Sequence, residues 1–435
     1  MISPGGNDIL TSSLTAPGDL AGSNSELAAT HNLAVILRTI RWHAPISRTE
    51  LALRSGLSKQ AVARITGKLI DDGLVVEARR RYGMRGQPAI ELEINPEGCF
   101  AVGAGIGRDH LTIVAIDAVG TVRDRIHREE RFMLPDAFFA EMKEALSTFR
   151  RRRAIDETRL AGIGVAIPDW LGEIPFIGMP DAYRLWRSVD IRARFARFTD
   201  HPILIDNDAT AAAIGELTYG LGAEIRSFFY IFFGSGLGGG LVLDGACYHG
   251  TTGISGEIGW LPVTLPEAPA GERVQPLGQL VSLFILYDFL ASHGILVSKP
   301  QDLLNLDARG KALLTSWLRM AARHIAEAAI DIGLLINPDA VLIGGRIPVT
   351  ILDELLLYVR EALSRDPRPT PRIHRAAGSE DAAALGAATM PLSHALRLES
   401  ADPAQLTRAP LRGNADRPGR ATTRHWITTP DPPTP

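Results

Sequence analysis

Apolar residues recur at three- and four-residue spacing from Asn32 to Arg41, where Leu33, Ile36, Leu37 and Ile40 predict a helix with one buried face. Pro45 separates it from Ser47–Asp72, which reads as two short helices joined by a tight turn. Ser47 with Glu50 three residues on is a capping box, and Leu51 and Ala52 give the first helix its apolar side. Ser55-Gly56-Leu57 ends it, because glycine tolerates the left-handed conformation in which the chain leaves a helix. Ser58 caps the second helix, with Val62, Ile65 and Leu69 as its stripe and Lys59, Gln60, Arg64 and Lys68 off it. Two strand-like runs follow, Leu74-Val75-Val76 and the alternating Ala89–Ile94, around a loop with Arg79, Arg80, Arg81 and Arg85. The pattern predicts a winged helix-turn-helix over 24–96, whose second short helix enters the major groove of DNA. The spacing alone also fits a small helical bundle with a basic solvated face.

Beyond Cys99 the periodicity changes. Phe100–Gly105, Leu111–Ile116 and Thr121–Ile126 predict a three-stranded meander, Phe132–Arg151 a helix, and Leu160–Ile167 a strand ending at Pro168-Asp169. Ile203–Ile205 is a short buried strand running into Asp206-Asn207-Asp208 and a small-residue helix, Ala209–Leu217. Phe228–Phe233 predicts a strand leading into a glycine loop, Gly234–Gly240, and then Leu241–Leu243. Pro262–Pro276 reads as a surface loop, and Leu280–Ala291 and Ala312–Leu335 as helices. His324, within the second, reads as a helix-surface or interface residue. Asp339–Ile343 is a strand, Ile351–Leu363 a helix, and Ala382–Arg397 a last helix that Pro391 kinks or ends. Strands alternating with helices predict an α/β domain.

With 435 residues, two or three domains are expected. Residues 1–23 and 402–435 are rich in Gly, Ser, Pro, Arg and Thr and are expected to be disordered. Cys99 and Cys247 offer neither a disulfide framework nor metal-ligand spacing. No apolar run is long enough to span a membrane and no secretory leader is visible, so a cytoplasmic protein is expected. Charge changes the picture. Between Asn32 and Pro96, 2 Lys and 9 Arg face 6 acidic residues, a surplus of +5 in a chain of net charge −3. A basic module is therefore joined to an acidic remainder, which points to nucleic acid as the partner of the first part. The first turns of the second helix direct Lys59, Gln60 and Arg64 to base edges or nearby backbone, and Lys68 with Arg79–Arg81 to phosphates.

Two stretches of the acidic part suggest chemistry. A carboxylate at a strand end beside a helix start is a common place for ligand binding; Asp208 could equally be an acidic helix cap. Successive glycines can converge backbone N–H groups on an anion, or simply allow a tight hairpin. Gly234–Gly240 is not a P-loop, because no Gly-Lys-Ser/Thr follows.

Taken together these motifs resemble the ROK family (repressor, open reading frame, kinase) over residues 30–395, in its transcriptional-regulator branch. Ser47-Arg48, Gly56-Leu57-Ser58 and Gly73-Leu74-Val75 match the family's DNA-binding region, and Arg85-Gly86-Gln87-Pro88 its wing, with Gln87 where arginine is usual. Asn207-Asp208-Ala209 matches the sugar-site motif, with Asp208 at the kinase base. Phe233–Gly240 matches the phosphate loop, Gly256-Glu257-Ile258-Gly259 the sugar and metal signature, and Asn337–Gly345 the nucleotide-side loop. The resemblance implies an α/β, two-lobed actin-like fold of the sugar-kinase type behind the winged module. The first lobe would span 97–205 with the helix around 380–397, and the second 206–379. It also implies homodimers or homotetramers, an operator duplex and a sugar effector as partners, and Asn207, Asp208 and Glu257 as ligand residues. Departures decide the branch. Gly105 replaces the phosphate-site Asp, Arg108-Asp109 replace Gly-Thr, and Trp260 replaces a zinc-ligand His in a segment without cysteines. Neither metal, cofactor nor catalysis is therefore expected, and the loop is expected to pack on Trp260 and its prolines. The reading is a sugar-responsive repressor; the alternatives are a kinase with a DNA-binding module and a DNA-binding protein with no small ligand.

Overall fold

The computed structural model describes residues 25–81, 89–169, 171–173, 179–265, 269, 273–378 and 380–396, the side chains of 25–27, 79–81 and 89 excepted. The two terminal segments expected to be disordered lie outside the described residues, as does Arg85.

The winged module is built from α1 (Ser25–His43), β1 (Ile46–Ser47), α2 (Arg48–Ser55), α3 (Lys59–Asp71), β2 (Val75–Arg81) and β3 (Ala89–Ile94). Its punctuation is local chemistry. Ser47 and Glu50 form the reciprocal capping box, and Gly56 takes φ +70° to end α2. The Ser58 hydroxyl accepts from the Ala61 N–H at 3.2 Å to start α3. Three strands in the order β1-β3-β2 form the wing sheet.

The first lobe holds β4 (Phe100–Ile106), β5 (His110–Asp117), β6 (Val122–Glu129), α4 (Pro135–Arg151), β7 (Leu160–Ala166), α5 (Ile191–Phe195) and β8 (Ile203–Asp206). Its five strands run in the order β6-β5-β4-β7-β8, with β4, β7 and β8 parallel. Alternation divides β4 and β5 between two faces. Val102, Ala104, Ile113 and Ala115 pack with Phe138, Met142 and Phe149 of α4.

The second lobe continues with α6 (Asp208–Tyr219), β9 (Phe228–Phe233), β10 (Leu237–Leu243), β11 (Ala246–Cys247), β12 (Pro262–Thr264), β13 (Val274–Pro276), α7 (Leu283–Ser292), α8 (Ala308–Leu335), β14 (Ala340–Gly345), α9 (Val349–Ser364) and β15 (Ile373–Arg375). Its main sheet has the order β11-β10-β9-β14-β15. The final helix, α10 (Ala382–Ala395), carries Pro391 inside it without ending there.

α6 and α10 lie between the two sheets and nearly touch backbone to backbone. A Cβ on Gly386 would come within 1.6 Å of the Ala211 carbonyl oxygen, so only glycine fits there. The run Ala382-Ala383-Ala384 and its continuation are small for the same reason, being pressed against both α6 and the first sheet.

Three expectations need correction. The glycine loop is only Gly234-Ser235-Gly236; Gly238, Gly239 and Gly240 are strand residues of β10, paired with Phe232, Ile231 and Tyr230. Gly238 and Gly240 lie against α6, where a Cβ on Gly240 would fall 2.7 Å from that of Ala213, while Gly239 faces the other side, where a Cβ would meet the Gly256 carbonyl oxygen at 2.5 Å. The ends of the Pro262–Pro276 loop form a hairpin, β12 with β13. Trp260 is 51% exposed and does not hold this region; Ile258, Val263 and Leu277 are the residues that enter the core.

The winged module shares a core with the first lobe. Ile36, Leu37, Ile40, Leu69, Val75 and Leu92 form one buried cluster with Cys99, Ala101, Val114, Ile116, Ala388, Leu392 and Leu396. Pro96 is a junction spanned by main-chain hydrogen bonds, from the Asn95 N–H to Leu74 O at 2.9 Å and from the Ala118 N–H to Pro96 O at 3.2 Å. Among the described residues no helix is long and apolar enough to cross a membrane.

Candidate functional site

On the winged module, the polar side of α3 is open. Ser58, Lys59, Gln60, Arg64 and Lys68 are all exposed, while Val62, Ile65, Thr66 and Leu69 are buried. Ser47 and Arg48, in the segment that matches the family's DNA-binding region, have partners within the module. Ser47 is 8% exposed and its hydroxyl is held by the Glu50 carboxylate at 2.8 Å. The guanidinium of Arg48 reaches Thr66 Oγ1 at 3.2 Å and Glu77 at 3.0 Å, bracing α2 against α3 and β2. Arg79, Arg80 and Arg81 lie on the β2 backbone; their side chains, and all of Arg85, are outside the described residues.

Between the lobes, β8 delivers Asp206, Asn207 and Asp208 to the start of α6. The Asn207 side-chain oxygen accepts from the Ala209 and Thr210 N–H groups at 2.8 and 3.2 Å. That leaves its NH2 to serve a ligand, so Asn207 can donate but not accept there. Asp208 accepts from the Ala209 N–H at 2.9 Å. Burial raises its pKa to about 6, against the opposing pull of Arg108. Glu257, on the turn before Ile258, hydrogen-bonds Asp169 at the end of β7, and burial with these two neighbouring carboxylates pushes it well above the ordinary range. Asp208, Glu257 and Asp169 thus face one another, and Asn207 caps α6 beside Asp208.

Arg108 lies at the centre. It is 8% exposed and is faced by Tyr183, Asp208, Asp109 and Glu257. It also lies against the glycine turn, where a Cβ on Gly236 would be 3.4 Å from its Nη1. Burial lowers its pKa even so. Next to it, Asp109 receives Arg346 Nη1 at 2.5 Å and His110 Nδ1 at 2.8 Å, which together hold its pKa near 2 in spite of burial. Arg346 is 2% exposed, follows the β14 glycines directly, and also reaches Glu129 at 2.7 Å. It therefore clamps the second lobe to the first. The Asp206 carboxylate is likewise tied down, to His249 Nε2 at 2.7 Å. Asp169, Tyr183, His249 and Arg346 escaped sequence reasoning. Arg346 had a visible signal, as a charged residue closing an entirely apolar strand, and so had Asp169, a carboxylate just past the end of a predicted strand.

Gly105 is closely packed: a Cβ there would meet the Ala384 nitrogen at 3.1 Å, so α10 would have to give by a few tenths of an ångström. Among the described residues no cluster of His, Cys, Asp or Glu is arranged to hold a metal ion.

Comparison with known proteins agrees with this architecture. The ROK family model matches residues 101–393, and a winged helix-turn-helix DNA-binding model matches residues 35–76. The xylose repressor of Caldicellulosiruptor bescii is 24% identical over 363 residues, covering 79% of this chain and 89% of that protein. The N-acetylglucosamine repressor of Escherichia coli O157:H7 is 25% identical over 382 residues, covering 80% and 88%. The match to the xylose repressor of Bacillus spizizenii, at 25% identity, spans 56% of this chain and 63% of that protein's length. Among solved structures, a ROK family transcriptional regulator described as a homolog of the E. coli MLC protein superposes with a TM-score of 0.62 at 21% identity, covering 85% of this chain and 96% of its own. That likeness establishes the fold. With the family model spanning most of the chain, the protein belongs to the ROK family, and a winged helix-turn-helix precedes its ROK segment.

Proposed function

We propose that this chain is a DNA-binding transcriptional regulator, a repressor, that responds to a sugar or sugar derivative held between its lobes and does not phosphorylate it. The observation that carries the reading is the placement of α6. Asp208 begins the helix and faces Glu257, and Asn207 caps the same end of α6. Its last residue, Tyr219, lies under the Arg41 guanidinium of α1, 5.0 Å from ring centroid to Cζ. One rigid helix thus joins a hydroxyl-binding cleft to the winged module.

The chemistry of the cleft suits a sugar. Carboxylates accept from adjacent hydroxyls and the Asn207 NH2 donates to a ring or hydroxyl oxygen. A ligand lacking the right hydroxyl leaves such a group buried and unpaired, which is the basis of selectivity. A ligand that draws Asp208 and Glu257 together shifts the start of α6. Because α6 and α10 touch through Gly386, and Leu392 and Leu396 of α10 belong to the winged module's core, the shift is transmitted along both helices. Relative xylose and N-acetylglucosamine repressors act on such ligands by name.

Phosphoryl transfer needs a held metal–phosphate group as well as a base. Asp208 could act as that base, but Gly105 supplies no carboxylate, and Arg108 and the Arg346–Asp109 clamp occupy the seam where the glycine turn and the β14 loop face each other. This supports a binding protein, in the cytoplasm, acting on a duplex operator as a homodimer or homotetramer. A single α3 offers few base contacts, and pairing two modules on one duplex raises avidity.

Incubating the protein with ATP, magnesium and a panel of pentoses, hexoses and hexosamines tests the reading. Stabilisation of the fold by at least one sugar, with no ADP formed, is the expected result. Sugar-dependent ADP release would overturn it.

A further inference from the structure

The charge balance of the cleft says more about the ligand than that it bears hydroxyls. Three carboxyls meet there, Asp169, Asp208 and Glu257, and Asp169 and Glu257 share a hydrogen bond. Two carboxylates cannot hydrogen-bond each other unless one carries a proton. Arg108 faces two of them, Asp208 and Glu257. The neighbouring Asp206 and His249 are engaged with each other, and Asp109 is engaged with Arg346 and His110. The cleft therefore retains an excess of negative charge that a proton now relieves.

A second observation is independent of that count. Tyr183 is fully buried, and its hydroxyl has no hydrogen-bond partner. The ring is fixed edge-on to Phe132 at 5.2 Å, and the Phe132 N–H is bonded to the Arg108 carbonyl at 2.7 Å. The hydroxyl thus stands at Arg108 as an unused polar group, an arrangement that costs stability unless a ligand completes it.

We propose that the cleft is built for a sugar bearing a free amino group, a hexosamine bound as its ammonium ion. The inference rests on the effector reading above. An ammonium group offers three donors and no acceptor, and so matches a cluster of carboxyl oxygens. It replaces the proton shared by Asp169 and Glu257, which passes to the buffer as the ligand enters. A neutral sugar leaves the excess charge as it was, and an anionic sugar adds to it. A ligand hydroxyl then pairs with Tyr183.

The test is calorimetry on the full chain at pH 6.5, with glucosamine, galactosamine and mannosamine set against glucose, galactose, mannose, N-acetylglucosamine and glucuronate. Each titration is run in two buffers of different ionisation heat. The expected result is that one hexosamine binds about tenfold or more tighter than its neutral counterpart, releasing close to one proton. Asp169→Asn brings the two to similar affinity and abolishes the proton release, while thermal unfolding reports that the variant is folded. Equal binding of amine and neutral sugar without proton release, or tighter binding of the acetylated or acidic sugar, overturns the amine assignment and leaves the effector reading standing. Binding of none of these ligands removes both.

Discussion

Replacing Asp208 by asparagine separates what the fold wants from what the cleft needs. Burial lifts the Asp208 carboxyl from 3.8 to about 6, more than Arg108 and the Ala209 N–H pull it down. The native state therefore holds this proton more tightly than the unfolded chain does. Stability falls as pH rises from 3.8 through about 6, and the full cost is present above that. With each pKa unit worth ~1.4 kcal/mol, the cost at neutral pH is roughly 3 kcal/mol. Asp208 is only half-buried by surface, so that figure is a ceiling. Asparagine keeps an oxygen for the Ala209 N–H and brings no charge to desolvate. Asp208→Asn should thus raise the unfolding temperature at pH 8 by several degrees, and the gain should vanish near pH 4. Loss of a like-charged neighbour also relaxes Glu257, which acts in the same direction. The same variant should lose its response to the effector. Scanning calorimetry of parent and variant at pH 4, 6 and 8 reads all of this. A variant no more stable than the parent at pH 8, or a difference that does not shrink in acid, refutes the reasoning.

Other consequences are as direct. Arg346→Met strands buried Asp109 without its cation and should destabilise by about 3–5 kcal/mol, whereas adding Asp109→Asn should recover much of the loss; denaturant titrations of the two variants give the comparison. Arg41→Met removes the contact with Tyr219 and should leave DNA affinity near the parent value while weakening its dependence on effector, seen as a smaller shift between DNA titrations with and without sugar. Gln60→Ala should relax sequence preference, because a glutamine can pair bidentately with adenine, and Lys68→Ala should weaken all duplexes alike and lower the salt slope by about 1. Sedimentation at micromolar concentration should find at least a dimer, and a strictly monomeric species with and without DNA would remove the paired-module arrangement.

What could be read from the chain was set by how local the cause was. Ser47 with Glu50, Gly56 and Ser58 announce the helix-turn-helix because each acts on backbone within a few residues. Asn207-Asp208 was legible as a candidate site because the motif is contiguous, but the loss of the Asn207 oxygen to the α6 cap was not. Gly238–Gly240 misled because their smallness answers to neighbours in space, α6 on one side and Gly256 on the other; the same residues read equally well as a loop. The Arg346–Asp109 clamp joins positions 237 apart and leaves no periodic trace. Tyr183 and Asp169 gain their meaning only beside Arg108 and Glu257.

The central claim, that a ligand in the Asn207–Asp208–Glu257 cleft governs DNA binding, has one direct test. Duplexes selected from a random pool by the protein itself supply the operator. Fluorescence anisotropy then measures their affinity for parent and Asp208→Asn, with and without the sugar that stabilises the parent. The account predicts that the sugar changes the parent's DNA affinity by about fivefold or more, and leaves the affinity of Asp208→Asn where it was. An equal sugar response in both proteins, or none in the parent at saturating sugar, would contradict it.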